Sequence, residues 1–496
     1  MKNSISLLIT LVLVCFSVTL TVAQSNPQFD VVLNGGRVID PETKLDAIRN
    51  VGIRDGRIVE ISANTLSGKQ TVDVSGLVVS PGFIDLHVHG MTNVEQEYQA
   101  HDGVTSAFEL EGGIPFLTEW YATRKNKALL NYGASVEWPM LRVKATGKYD
   151  KELELLKGAI AKGEPGDGKM WGIIGKYGYE NLTAEQTSKL LSEIKASLNE
   201  GGIGIGIPVG YLPGATREEV FKIYKLAAEL QVPIISHVRE GGAIAVQQAI
   251  SDAVVTNAPL HVVHMNSVTL AEIDLAIEMV NMAQKRGFDI TTEVYPYTAA
   301  STSLESALFD EGWQEKFGIT YDGLQWVATG ERLTKETFTK YRKEGGTVII
   351  HMMKPEWIKS GIASDNTMIA SDGMPYAKLA HPRTAGTFSR VLGKYVREEK
   401  VISLPTAIEK MTLLPAKRLE RVAPIMRFKG RIQVGSDADI TVFDPNKIID
   451  KATFEKGLAF SEGVQFVLVN GVFVLKDGKT VENVFPGQPV YGKYKR

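Results

Sequence analysis

The chain has 496 residues, with 55 Lys and Arg against 57 Asp and Glu, a formal net charge of -2 with His neutral. That balance excludes a protein that holds nucleic acid by neutralising phosphates, and hydrophobic and charged fractions of 44% and 23% exclude a disordered chain. At about 100–200 residues per domain the length fits two or more domains, or one large barrel with additions.

Residues 1–23 read as a secretory signal peptide: Lys2, a nearly continuous apolar run over 5–22, then Thr21-Val22-Ala23 before Gln24. The run is near the length that spans a bilayer, so an uncleaved anchor is the alternative. The Ser and Thr interruptions and the small-residue site favour cleavage, and Val14 before Cys15 argues against lipid attachment. Cys15 is the one cysteine in the chain. Its loss with this segment excludes a disulfide framework, a Cys-ligated zinc or Fe–S site and thiol catalysis. The remainder is expected to be exported, periplasmic or secreted, with no nucleic-acid partner and no membrane partner.

Residues 28–80 are β-rich. A strand over 29–36 runs into a turn at Gly35-Gly36, and 51–59 form a hairpin around Asp55-Gly56. From 81 to about 419, short β-branched runs alternate with amphipathic helices, such as Arg217–Leu230 before a strand at 232–237 and 270–286 before one at 288–294. Repeated strand–helix units predict a parallel sheet, and their number fits an eight-stranded α/β barrel of the TIM-like (β/α)8 kind. An open doubly wound sheet is the alternative. The chemistry-bearing residues, spread over the ends of many strands, favour the barrel. An insertion occupies about 299–366. At the C-terminus, 439–445 form a strand and 466–474 a hairpin around Asn470-Gly471. Segments 24–80 and 420–496 are expected to build one small β-sandwich.

Within the barrel, the run 82–90 reads as a strand whose alternation puts Asp85, His87 and His89 on one face. A second strand over 104–111 turns Thr105, Ala107, Glu109 and Glu111 inward and Phe108 and Leu110 outward. Glu111, at the strand's end, is favoured as a metal ligand and Glu109, one layer deeper, as its support; the reverse order stays open. His237 ends the strand at 232–237. His261 and His264 lie on opposite faces of a strand, so at most one should point inward; His264 is the better placed, and His261 is read as a core or helix-facing residue. Asp372 ends the run 367–373. Each of these residues alone has an ordinary structural reading. Four His and two acids at the ends of five strands together imply a divalent metal, Zn²⁺ being the ion best suited to imidazole and carboxylate, with Asp372 able to double as general base.

The pattern His-x-His, bridging ligand, His, His, Asp resembles the amidohydrolase superfamily. Within it the chain is similar to the N-acyl-D-amino-acid deacylases, or D-aminoacylases. The marks are Gly210-Tyr211-Leu212-Pro213-Gly214, His237-Val238-Arg239, Tyr295-Pro296-Tyr297-Thr298-Ala299, Ser371-Asp372-Gly373 and, most discriminating, His381-Pro382-Arg383-Thr384-Ala385-Gly386-Thr387-Phe388. Gly435-Ser436-Asp437-Ala438 before the 439–445 strand matches the superfamily's C-terminal segment. The resemblance covers essentially all of the mature chain. It implies that His87, His89, His237, His264 and Asp372 hold one or two metal ions, that Arg383 holds the substrate carboxylate, and that Tyr211, Tyr295 and Ser301 line the substrate pocket. Two positions depart from the family. Its bridging cysteine is absent, with Leu110-Glu111-Gly112 in its place, and Asn266 replaces a substrate-binding lysine. The Leu-Glu-Gly-Gly form resembles the N-acyl-D-glutamate deacylase type.

Lys176 is a minor candidate for a carboxylated bridging lysine, so the bridge stays open between Glu111, Glu109 and Lys176. The strand aligned with the family's lysine, 203–208, carries none. His351, inside the insertion, is read as a surface-layer histidine. The implied reaction is metal-dependent hydrolysis of the amide of a small N-acyl-D-amino acid. The alternatives are a cyclic-amide hydrolase of the dihydroorotase or hydantoinase kind and a non-catalytic scaffold on the same fold.

Overall fold

A computed structural model describes residues 28–164, 173–175 and 177–496. The expected signal segment and Lys176 lie outside these. No helix among the described residues is long and apolar enough to cross a membrane.

Eight strands follow one another in chain order, each parallel to the next: Phe83–Asp85, Val104–Ile114, Asn131–Glu137, Ile205–Pro208, Ile234–His237, Leu260–Val262, Ile290–Val294 and Thr367–Ile369. The ladder is unbroken except between the first and the eighth. There the barrel closes just beyond the strand ends: the His89 and Gly90 N–H groups donate to the Gly373 carbonyl at 2.6 and 3.2 Å, and Gly373 N–H donates to the His87 carbonyl at 3.3 Å. The helices wrap the barrel with one apolar stripe each. In Arg217–Leu230 the buried residues Val220, Ile223, Tyr224 and Ala227 recur at helical spacing, the Thr216 side chain caps the Glu219 N–H, and Gln231 ends the helix in left-handed backbone. Such a cap contributes about 1 kcal/mol.

The first, sixth and eighth strands end earlier than the sequence suggests, because the chain leaves the ladder before His87, His264 and Asp372. The helix expected from 270 starts as a single 3-10 turn, Leu270–Glu272, and becomes α-helical only over Ile273–Lys285.

The insertion folds as a small antiparallel sheet of Ala300–Ser303, Thr347–Ile350 and Leu324–Trp326. Phe309, Trp313, Trp326, Phe338 and Val348 give it a core of its own.

The two ends of the chain share one nine-stranded sheet, in which Val78–Pro81 pairs with Ile440–Phe443. The sheet curls until its edge strand Arg57–Ser62 hydrogen-bonds to Gly435 and Ser436, through Gly435 N–H to the Ile58 carbonyl and Ile58 N–H to the Ser436 carbonyl. The expected sandwich is therefore a single sheet folded over one core, which draws Val31, Leu33, Val51 and Ile53 from one end and Ile440, Val442 and Leu468 from the other. The turn expected at Gly35-Gly36 is a bulge inside the strand Phe29–Asp40, whose register shifts between Leu33 and Gly36.

Candidate metal centre

Six side chains from five strand ends meet at the C-terminal mouth of the barrel. Glu111 is central to them. Its Oε2 lies 3.4 Å from His87 Nε2 and 3.3 Å from His89 Nε2, and its Oε1 lies 2.9 Å from His237 Nδ1 and 3.0 Å from His264 Nε2. One carboxylate thus divides two imidazole pairs, an oxygen to each. Asp372 closes the first pair, with Oδ1 3.5 Å from His87 Nε2 and 3.3 Å from His89 Nε2. Three groups of potential ligand atoms, His87/His264/Asp372, His87/His89/Glu111 and Glu111/His237/His264, each lie within 4.8 Å of one another.

The local backbone explains why these side chains converge. His264 and Asp372 both follow strand ends in left-handed backbone, with φ of 32° and 53°. Non-glycine residues hold that conformation at some cost, and it recurs at functional sites. Gly113, with φ of 79°, lets the second strand pass the third, where a side chain would strike the Glu137 backbone at 2.7 Å. The Gly112 N–H just before it donates to Glu109 Oε1 at 3.0 Å. Glu109 Oε2 then lies 2.7 Å from His89 Nδ1.

The electrostatics call for positive charge. Burial works against an ionised Glu111, but His87, His237 and His264 outweigh it and hold the carboxyl well below its ordinary pKa. Burial likewise opposes charge on His87, yet Asp372, Glu293 and Glu111 raise its pKa well above the usual imidazole value. His89 is raised in the same way, with burial overcome by Glu109, Asp372 and Glu111. Burial pushes the Asp85 carboxyl up to about 7 against hydrogen bonds from Ser371 and the His87 N–H.

So many carboxylates in a dry interior need cations to balance them, and a divalent metal fits the donor set. His87 Nε2 is buried without a hydrogen-bond partner, while its Nδ1 is tied to a carboxylate. His89 Nδ1 is tied to Glu109. That is the arrangement in which outer carboxylates orient imidazole ligands toward a metal.

The cluster opens into a cavity of about 1000 Å³, whose wall includes Tyr211, Ser301, Leu270 and Met352. Lys316 is the one Lys or Arg among its described lining residues. The Tyr211 ring packs 4.8 Å from His237 and its hydroxyl lies 2.9 Å from Thr302 Oγ1. Ser301 is on the wall, with its hydroxyl donating to the Val348 carbonyl at 3.1 Å.

Three residues expected at the substrate stand behind this wall. Arg383 is 1% exposed; its Nη2 pairs with Asp372 Oδ1 at 2.8 Å and donates to the Ser301 carbonyl at 3.3 Å. Tyr295 lies beneath that guanidinium, 4.7 Å from carbon to ring centre. Asn266 is fully buried and donates to the Tyr295 carbonyl at 3.1 Å, so its amide braces backbone where a substrate contact was expected. His381, from the same segment as Arg383, is structural: it donates from Nε2 to the Ala299 carbonyl at 2.9 Å and accepts the Arg383 N–H at 3.1 Å.

Sequence reasoning missed Glu293, buried in the seventh strand 2.6 Å from His87 Nδ1 and 3.0 Å from His261 Nε2. The signal was a carboxylate in register with Thr291 on an otherwise buried strand. The expectation that only one of His261 and His264 can point inward fails. The strand ends at Val262, so alternation no longer governs His264, and both imidazoles reach the interior. His351 stays with the insertion, 2.9 Å from Gln325.

No family model matches the chain. Among curated proteins it is similar to a D-aminoacylase of Alcaligenes xylosoxydans xylosoxydans, 28% identical over 489 residues, spanning 94% of this chain and 98% of that protein. An N-acyl-D-glutamate deacylase of the same organism is 28% identical over 492 residues, spanning 90% and 94%. A dihydroorotase of Geobacter metallireducens is 24% identical over 432 residues, spanning 84% and 90%. Among solved structures, an N-acyl-D-glutamate deacylase from Bordetella bronchiseptica, complexed with zinc and a phosphonate mimic of the tetrahedral intermediate, has a TM-score of 0.77 at 24% identity, covering 93% of this chain and 99% of that one. A D-hydantoinase reaches 0.60 at 16% identity, covering 94% and 100%.

Proposed function

We propose, from the premise that the chain belongs to the D-aminoacylase family of amidohydrolases, that it is a metal-dependent hydrolase of N-acyl-D-amino acids, releasing a carboxylate and a free D-amino acid. The observation that carries this reading is the Glu111 carboxylate set between two imidazole pairs at the floor of the cavity. His87, His89, Glu111, His237, His264 and Asp372 would hold one or two divalent ions, with Zn²⁺ the leading candidate. Bound there, the metal supplies Lewis-acid polarisation of the acyl carbonyl and lowers the pKa of water.

The rest is done by the chain. Burial opposes charge on Asp372, but Arg383 and His87 hold its carboxyl below the ordinary carboxylate pKa, so it is ionised. We assign it the proton taken from the attacking water and returned to the leaving amine nitrogen. Arg383 fixes the Oδ1 of that carboxylate. Tyr211 and Ser301 line the cavity and would stand beside the reacting amide. Glu111 in place of the family's thiolate would offer a metal two harder oxygen donors, a set that would suit harder divalent ions.

The glutamate form of the substrate draws support from the second relative and from Lys316. The lining also carries Glu240, Glu272, Glu305 and Glu344, so Lys316 is the described lining cation that would receive a substrate side-chain carboxylate there. Export after removal of residues 1–23 belongs to the same proposal, and N-terminal sequencing of the mature protein tests it.

A panel of N-acetyl-D- and L-amino acids, dihydroorotate and hydantoins, assayed with metal analysis, tests the function. Turnover confined to the N-acyl-D-amino acids is expected. Turnover of the cyclic amides alone would assign the chain to the dihydroorotase kind, and an inactive protein without metal would make it a scaffold.

A further inference from the structure

A second polar layer lies deeper in the barrel, beneath the metal centre. Glu293 is 1% exposed, with Oε1 2.6 Å from His87 Nδ1 and Oε2 3.0 Å from His261 Nε2. His261, also 1% exposed, places its Nδ1 2.8 Å from the Thr291 hydroxyl. None of the three belongs to the groups of potential metal ligands. Burial, opposed by Glu293, lowers the pKa of His261, so this imidazole is neutral.

One proton arrangement then satisfies every atom of the layer. The Thr291 hydroxyl donates to His261 Nδ1, His261 Nε2–H donates to Glu293 Oε2, and His87 Nδ1–H donates to Glu293 Oε1. With a metal in place of the proton that the surrounding carboxylates otherwise hold on His87, the arrangement leaves Nε2 as the lone pair that would face it. That atom is buried with no hydrogen-bond partner, 3.4 Å from Glu111 and 3.5 Å from Asp372. A carboxylate this deep is costly, and an apolar side chain of similar size would often be no less stable. Packing alone therefore does not account for it.

We propose that Thr291, His261 and Glu293 form a buried positioning relay that fixes the tautomer and the orientation of His87 toward the metal. Glu109 does the same for His89 from the second strand, over a single hydrogen bond. The relay extends this to His87 across the sixth and seventh strands, so the two imidazoles of the His-x-His pair are aimed by separate carboxylates. The inference rests on the metal-centre reading and not on the identity of the substrate.

The test is zinc affinity of the full chain, measured by chelator competition without substrate, for Glu293→Gln, His261→Gln and the double variant. Glu293→Gln should weaken binding about 10–100-fold. His261→Gln should weaken it in the same direction by less. The double variant should be no weaker than Glu293→Gln within about threefold, because His261 acts through Glu293 and contacts in one network are not additive. The visible bands of the cobalt-loaded protein should shift in Glu293→Gln, and the melting temperature of each metal-free variant controls for folding. Losses that add, or unchanged affinity and bands, would overturn the relay. If Glu293→Gln does not fold, unchanged affinity in His261→Gln alone overturns it. A chain that binds zinc normally but leaves N-acyl-D-amino acids intact would count against the deacylase reading and leave the relay standing.

Discussion

Asp372 follows the eighth strand and shares its Oδ1 between Arg383 Nη2 at 2.8 Å and His89 Nε2 at 3.3 Å. Asn in its place keeps the shape and one ligand oxygen but cannot hold a transferable proton. Asp372→Asn should lower kcat by about 10²–10⁴ with metal content unchanged; elemental analysis and steady-state kinetics check both halves. Arg383 separates two roles. If it fixes Asp372, as its contacts show, Arg383→Lys lowers kcat and leaves KM nearly unchanged. If its unpartnered Nε and Nη1 instead turn to the substrate carboxylate, KM rises. The six clustered side chains were legible because each lies in or just past the C-terminal end of a short β run; Glu111 and His237 are still within their strands, whereas His87, His89, His264 and Asp372 lie beyond theirs. Glu293 was not, since its partner His87 lies 206 residues away and only the closed barrel joins them. Arg383, Tyr295 and Asn266 were assigned to the substrate by resemblance, which carries residue types but not the depth at which each side chain lies.

The helices and hairpins of the chain follow their local signals closely. Arg217–Leu230 begins after a Thr cap and ends at Gln231 as its periodicity requires, and the Asp55-Gly56 and Asn470-Gly471 turns sit between paired strands. The bulge at Gly35-Gly36 escaped, because two glycines read the same in a turn and in a strand that must shift register. The insertion had no legible fold, yet it supplies one side of the cavity, including Leu308, Lys316, Phe317 and Ile350. Lys316 sits in the short helix Trp313–Phe317, whose position depends on the packing of Trp313 against Phe309 and Phe338. On the proposed function, substrate choice at this wall would therefore belong to an element outside the barrel. Lys316→Met should lower kcat/KM for N-acetyl-D-glutamate about tenfold, the worth of one charge-assisted hydrogen bond. N-acetyl-D-leucine should stay within about twofold. Equal losses on both substrates would remove Lys316 from recognition.

Across the whole molecule, the buried acid Asp439 is one of the contacts that join barrel and terminal sheet. Asp439 accepts from Asn131 Nδ2 of the third barrel strand at 2.9 Å and from the Asn470 N–H at 2.7 Å, and pairs with Lys429 at 2.6 Å. The segment Gly435-Ser436-Asp437-Ala438, noticed first as a family mark, bonds to Gly56 and Ile58 at the other end of the chain, and Asp439 just after it carries the contact on to the barrel. Another long-range joint is the seam where the first strand meets the eighth. It is made by the backbone of His87, His89, Gly90 and Gly373, and the candidate metal ligands His87, His89 and Asp372 stand directly over it. Ser371 and His87, which touch there, are 284 residues apart, so this closure joins the ends of the barrel's whole folding sequence. Contacts of such long range form slowly and late. An ion that binds only the closed ring would add its binding free energy to that step, so His87 and His89 would serve the ring's last stitch with their backbone and its chemistry with their side chains. Stripping zinc should then raise amide hydrogen exchange in peptides covering Val88 and Gly373 more than in the third and fourth strands. Equal protection with and without metal would separate assembly from catalysis.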